Sequence, residues 1–268
     1  MKTKLDCIPC FQRQALEAAR MVTEDEGEQE RVMREVMSAL ERMDWREKQL
    51  LISKKVHGIV AEELGVRDPY KRAKEESNKK ALALYPELKR LVLNSEDRMA
   101  TAIKISIAGN AIDFGPENRI GIEEAIERAI GMELDGTYDE FLRELDRADW
   151  VLFFADNCGE IVFDRPLLEM LNKRVRFVVK KEPILNDATA EDAVKADIRS
   201  IKDIEIAEIE TGENESFLEK GTLVISKGQG NYEALSERRG IYFMLMAKCP
   251  LIAEDLGVDV GSAVFRRS

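Results

Sequence analysis

Up to about residue 108, apolar side chains recur at spacings of three and four. Leu16, Ala19 and Val22 form one set, Val32, Val36, Leu40 and Met43 a second, and Leu50, Leu51, Val56, Val60 and Leu64 a third. That period marks one face of an α-helix, so it predicts a run of helices. Gly65 and Asp68-Pro69 punctuate the third and fourth. A longer helix is expected over residues 70–93, and Ser95-Glu96-Asp97 opens another through Met99, Ile103 and Ile107. The pattern then changes. Gly109-Asn110-Ala111-Ile112-Asp113-Phe114-Gly115-Pro116 reads as a loop bounded by glycines, with helices after it at 123–130 and 138–147. Continuous apolar runs follow and alternate with helical stretches. Strands are predicted at 150–155, 175–180, 204–206, 222–226 and 241–246, with a last one within 261–265. Helices are predicted at 165–172, 188–195 and 231–237. Such alternation implies a largely parallel sheet covered by helices on both faces. The expected fold class is α/β: a helical N-terminal region, 1–108, packed on a Rossmann-like, three-layer α/β/α domain, 109–268.

Four loops carry the candidate chemistry, and three of them follow a predicted strand. In a parallel sheet all such loops emerge on one edge, where α/β proteins bind ligands. Asp156-Asn157-Cys158-Gly159-Glu160 follows the buried run Trp150-Val151-Leu152-Phe153-Phe154. Its carboxylate and amide oxygens suit a hard or borderline divalent cation such as magnesium, manganese or nickel. Lys180-Lys181-Glu182-Pro183-Ile184-Leu185-Asn186-Asp187 ends in a further acid. Ser226-Lys227-Gly228-Gln229-Gly230-Asn231-Tyr232-Glu233 places a lysine before a glycine-rich turn that opens a helix, an arrangement suited to an anion. Asp156, Asn157 and Asp187 are therefore expected to hold the metal. Lys227 is expected to neutralise phosphate charge, with Gly228, Asn231 and Glu233 beside it in the phosphate site. Asn110 and Asp113 are expected to orient substrate or a bound water. Glu160 or Asp113 is expected to act as general acid or base.

Read one at a time, these segments are equally at home as turns, because Asn, Asp and Gly dominate turns. The Lys227 segment also lacks the spacing of a phosphate-binding P-loop. It is their shared position on one sheet edge that favours chemistry.

Charge and composition narrow the partners. The net charge of −11 argues against non-specific binding to nucleic acid or an anionic membrane. No apolar run approaches the roughly 20 residues that span a bilayer, and Met1-Lys2-Thr3-Lys4-Leu5-Asp6 lacks a signal core, so a cytoplasmic protein is expected. The single histidine, His57, excludes zinc sites built on two or three histidines. It has no acid or thiol partner nearby in sequence and is expected to be an ordinary helix residue.

The four cysteines are expected as thiols or ligands rather than disulfides. Cys7 and Cys10 form a CxxC at the start of the first helix, where a thiol pKa can fall. No strand precedes it, so a thioredoxin reading lacks its context. Cys158 and Cys249 would complete a four-cysteine set in number only.

Asp6-Cys7-Ile8-Pro9-Cys10, Ala108-Gly109-Asn110-Ala111-Ile112-Asp113, Asp156-Asn157-Cys158-Gly159-Glu160, Gly230-Asn231-Tyr232-Glu233 and Lys248-Cys249 occur in that order. Together they resemble the metal-dependent damage-control phosphatase family, in its prokaryotic branch with CxxC, Gly-Asn-Phe-Glu-like and Lys-Cys motifs. Tyr232 stands where that branch usually has Phe. The resemblance implies a helical N-terminal region and a Rossmann-like domain. It also implies a divalent metal (manganese, nickel, cobalt or magnesium) held by Asp156, Asn157 and a later acid. That acid carries over to Asp187, with Asp192 as the fallback. The implied activity is hydrolysis of phosphate esters of small, damaged or surplus metabolites. The roles of Cys7, Cys10 and Cys249 are left open by it, as is the oligomeric state.

The expected function is thus a divalent-metal-dependent phosphoric monoester hydrolase with a small phosphorylated metabolite as its partner. Rivals stand beside it. One is a metal- or nucleotide-binding module without turnover. Another is an S-adenosylmethionine-dependent methyltransferase, although no glycine-rich fingerprint follows the first strand of the sheet. The third is a redox protein built on Cys7 and Cys10, which requires a low-pKa thiol.

Overall fold

The computed structural model describes residues 1–111, 122–134 and 136–268. The predicted helical start is observed as α1 (Cys7–Val22), α2 (Glu26–Arg42), α3 (Gln49–Glu63), α4 (Lys71–Asn94) and α5 (Arg98–Ala111). Helices α6 (Ile122–Ile130) and α7 (Gly136–Arg147) lead into β1 (Trp150–Phe154). Then follow α8 (Glu160–Met170), β2 (Arg174–Lys180), α9 (Ala190–Lys195), β3 (Ile204–Ile209), β4 (Thr222–Lys227), α10 (Gly228–Leu235), β5 (Ile241–Met246), α11 (Pro250–Leu256) and β6 (Ala263–Arg267).

The strands form one six-stranded sheet in the order β3-β2-β1-β4-β5-β6. All neighbours pair in parallel except β5 and β6, which are antiparallel. The strand order reverses between β1 and β4, and such a switch point opens a ligand crevice at the carboxyl ends of the strands. Side chains alternate across the sheet. Val151 and Phe153 enter the core under α4, α5 and α8, while Leu152 and Phe154 enter the core under α10 and α11. Burial on both faces is why β1 reads as an unbroken apolar run. Helices α1 to α3 share a third core, built around Phe11, Val36, Ile52 and Val56, against which Leu185 and Leu251 also pack.

Two expectations about loops are corrected. Gly109 and Asn110 are helical, inside α5. Gly109 serves packing: an added β-carbon would stand 2.6 Å from Phe163 Cβ on α8. Its small size lets the two helices approach, and the same residue type in sequence imitates a turn. Lys227 is likewise not in a loop but ends β4, and α10 begins at once with Gly228. Asp113 lies outside the described residues.

Candidate active site

The site is built on the end of β1. Asp156 follows the strand directly, and Asn157 pairs in an antiparallel bridge with Asp187 from the loop after β2. The Asp156 carbonyl accepts from Ala188 N at 2.8 Å, and Cys158 N donates to Asn186 O at 2.9 Å. Two segments far apart in sequence are thus fastened together by backbone, bringing Asp156, Asn157 and Asp187 to one place. Gly159 has φ +80, which turns the chain into α8, and its N–H donates to Asn78 Oδ1 at 2.6 Å.

Amide side chains order the carboxylates. Asn157 Nδ2 donates to Asp156 Oδ2 at 2.7 Å and to Glu160 Oε2 at 3.2 Å. Asn110 Nδ2 donates to the same two oxygens, at 3.0 and 2.8 Å. Its Oδ1 accepts from Met246 N at 2.8 Å, which ties α5 to the end of β5. Asp156 Oδ1 and Asn157 Oδ1 accept no hydrogen bond among the described residues. Burial pushes the Asp156 carboxyl well up, and Glu160 and Asp187 add to this while Lys248 and Lys180 oppose it. Asp187 is also raised, first by burial, against the pull of Lys180 and Lys74. The crevice therefore holds crowded negative charge that Lys74, Lys180 and Lys248 only partly offset.

A second layer lies beneath. Lys227 is completely buried and gives its three donors to Glu160 Oε1 at 2.7 Å, Asp164 Oδ1 at 2.6 Å and Ser106 O at 3.0 Å. Burial alone would drive its ammonium down, yet Asp164 and Glu160 hold it above its ordinary range. Burial raises the Asp164 carboxyl to about 6 even beside Lys227. With every donor committed, Lys227 has none left for a phosphate, and its expected contact with substrate is corrected to a supporting one. Asn231 is in the same position. Its Nδ2 donates to Ala155 O and Lys227 O, and its Oδ1 accepts from Asn214 and from Lys180 Nζ. It clasps the ends of β1 and β4 rather than facing the crevice.

Glu233 points elsewhere. Burial raises its carboxyl to about 7, and the N-terminal amine opposes that rise. It neighbours Cys7, whose thiol is raised by burial and further by Glu233, Cys249 and Cys10. The CxxC, the Lys-Cys cysteine and the last residue of Gly-Asn-Tyr-Glu thus gather at one spot. Cys10 is raised too, again by burial, and all four cysteines are free thiols. These are not the low-pKa thiols that a redox catalyst needs. Burial also lifts the Cys158 thiol far above its usual range.

The fallback acid, Asp192, is committed to structure. It caps α9 through Thr189 and pairs with Lys74 at 2.7 Å. Lys74 and Thr189 hold it below the usual carboxylate range in spite of burial.

Sequence reasoning missed Asp164, Lys180 and Lys248 as site residues. Asp164 stands four residues after Glu160 on the same helix face, a spacing that pairs the two acids. Lys180 Nζ lies 3.8 Å from Asp187 Oδ2, and its place as the last residue of β2 was the available signal. Lys248, although exposed, is close enough to Asp156 to lower its carboxyl.

Among the described residues, no three His, Cys, Asp or Glu side chains form a metal cage. Two carboxylates with an amide oxygen remain as the donor set. The surplus negative charge and the oxygen donors of Asp156, Asn157 and Asp187 fit a hard cation better than a neutral ligand. No described helix is long and apolar enough to cross a membrane.

Comparison with known proteins identifies the family and its fold. The chain is 33% identical to a damage-control phosphatase of Archaeoglobus fulgidus, over 98% of each chain. It is 32% identical to a damage-control phosphatase of Pyrococcus horikoshii, over 100% of this chain and 99% of the relative. A crystal structure of a DUF89 family protein from Pyrococcus horikoshii superposes with a TM-score of 0.85 at 29% identity, covering 100% and 99% of the two chains. Residues 3–264 match the model of the damage-control phosphatase ARMT1-like domain, and the chain belongs to that family.

Proposed function

We propose that the chain is a divalent-metal-dependent phosphoric monoester hydrolase acting on small phosphorylated metabolites. One observation carries this reading. Asp156, Asn157 and Asp187 meet at the sheet's switch point with more negative charge than their surroundings neutralise. Asp156, Asn157 and Asp187 would hold the metal, which when bound polarises a phosphoryl oxygen. Manganese, nickel, cobalt or magnesium suits that oxygen-rich set.

The protein's own groups do the rest. Lys180 and Lys248 flank the carboxylates and attract the phosphate, offsetting the charge that develops on it. Asn110 fixes Asp156 and Glu160 at once. Glu160 steadies the Asn157 amide and is itself held by Lys227. Gly228 presents a bare α-carbon to Asp156, and its backbone opens α10 toward the same crevice. In this reading Lys227, Asn231 and Asp164 are positioning residues.

The methyltransferase alternative gains no support, because the turn after β1 carries Asp156, Asn157 and Glu160 with the single glycine Gly159, not a glycine-rich fingerprint. The binding-module alternative differs only in turnover. The test is p-nitrophenyl phosphate hydrolysis by metal-stripped protein, with manganese, nickel, cobalt, magnesium or zinc added back, beside Asp156→Asn. Metal-restored activity that the variant lacks is the expected result. Absence of turnover with every metal would overturn the enzyme reading in favour of a binding module.

A further inference from the structure

Helix α4 belongs to the N-terminal helical run, yet one of its faces reaches both loops of the proposed metal site. Lys74 and Asn78 stand four residues apart, so their side chains share that face, and both are buried. Asn78 Oδ1 accepts from Gly159 N at 2.6 Å, at the end of the turn that carries Asp156 and Asn157. Lys74 Nζ lies 2.7 Å from Asp192 Oδ2 and 3.1 Å from Asp68 Oδ2. Asp192 caps α9, the helix that follows the Asp187 loop. Lys74 is also within electrostatic reach of Asp187 itself.

Asn78 carries an atom that packing does not call for. The residue is 3% exposed, and its Nδ2 has no hydrogen-bond partner among the described residues. An unmet amide donor in the interior costs free energy that a leucine of similar size avoids. The bond that accounts for an amide here is the one made by Oδ1. It serves the N–H of Gly159, the residue before α8, which that helix cannot satisfy for itself.

That bond completes a grip on the ligand turn. Cys158 N is held by Asn186 O from the Asp187 loop, and the next amide, Gly159 N, is held from α4. Asn157 adjoins the first of these points and bridges to Asp187. The turn is therefore fixed from two directions, by a loop and by a helix. Metal ligands must be held within about 0.5 Å of their working geometry, which loops alone rarely achieve.

We propose that Asn78 is a positioning residue of the metal site: by holding Gly159 from α4 it fixes where Asp156 and Asn157 stand relative to Asp187. Lys74 steadies the Asp187 side from the same helix through Asp192. The proposal rests on the metal site of the phosphatase reading and deepens it. On this account the N-terminal helices are part of the site.

The test titrates the metal-stripped full-length chain with manganese, with free ion followed by electron paramagnetic resonance and folding checked by thermal unfolding. Asn78→Leu removes the acceptor at nearly constant volume. Asn78→Ala removes it without added bulk and serves if the leucine variant does not fold. Asn78→Asp keeps an oxygen that can accept from Gly159 N. Leu88→Ala is the control, because Leu88 is completely buried on the same helix, about 15 Å further along. It loses packing without touching the turn. The manganese Kd should rise about tenfold or more in Asn78→Leu and Asn78→Ala, the usual effect of removing a group that orients a metal ligand. Asn78→Asp should bind within about threefold of wild type or more tightly, and Leu88→Ala within about threefold, both short of that effect. A Kd within about twofold of wild type in a folded Asn78→Leu or Asn78→Ala, well below that effect, would overturn the proposal and leave Asn78 a packing residue. So would an equal rise in Leu88→Ala, since general loosening would then explain it, or an Asn78→Asp as weak as Asn78→Ala. A wild type that binds no manganese would instead overturn the metal-site reading beneath it.

Discussion

The α-carbon of Gly228 faces Asp156 so closely that an added β-carbon would stand 1.8 Å from Asp156 Oδ2. Gly228 also has φ +74, so two independent demands select glycine. Gly228→Ala should therefore move Asp156 and strain the turn. The expected outcome is a fall in kcat/KM of about a hundredfold, with a stability loss of about 1–3 kcal/mol. Steady-state kinetics and urea unfolding of the purified variant check both numbers.

Lys227 and Lys248 should separate stability from turnover. Lys227→Met leaves Glu160 and Asp164 buried without their cation, and breaking such a pair costs about 3–5 kcal/mol. Lys248 is exposed, so Lys248→Ala should change stability by less than about 0.5 kcal/mol. It should nevertheless lower kcat/KM about tenfold or more by removing charge beside the phosphate. Equilibrium unfolding and kinetics of both variants decide the matter. A stable, slow Lys227→Met with a fully active Lys248→Ala would reverse the assignments.

The sheet was legible in the sequence because its strands are continuous apolar runs, and most of the helices because their apolar residues recur at spacings of three and four. The strand at 241–246 was placed at both ends, since six consecutive apolar residues buried on both faces leave little ambiguity. Asp156, Asn157 and Asp187 were legible as a group from strand polarity alone, and the backbone bridge between Asn157 and Asp187 brings them together. What was not legible is which way a polar side chain turns. Lys227 and Asn231 sit in the right segment but face inward, because buried Glu160, Asp164 and two backbone carbonyls need their donors. Glu233 on the same helix lies near Cys7, a neighbour from α1. Such choices depend on partners from other elements, and no local pattern encodes them. His57 was read as an ordinary helix residue, and it lies buried within α3.

His57 should also mark the acid limb of stability. Its pKa is lowered from 6.5 to about 4 in the folded chain. A depressed folded pKa means that its contribution is complete above pH 6.5 and is lost as pH falls through 4, because the unfolded chain takes up the proton more readily. The full span amounts to about 3 kcal/mol. His57→Phe should flatten that part of the profile. Thermal or urea unfolding of both proteins between pH 7 and about 4 reads the difference directly. Parallel profiles for the two proteins would mean that the ring is not buried in neutral form.

The central claim is that Asp156, Asn157 and Asp187 form one metal site, and manganese binding tests it without relying on turnover. Metal-stripped wild type, Asp156→Asn and Asp187→Asn are titrated with manganese while free ion is followed by electron paramagnetic resonance. The account predicts one tight site in the wild type. It predicts loss of that site, by about a hundredfold or more in Kd, in each folded variant, since each removes a direct charged ligand. Wild-type affinity in either variant would contradict it.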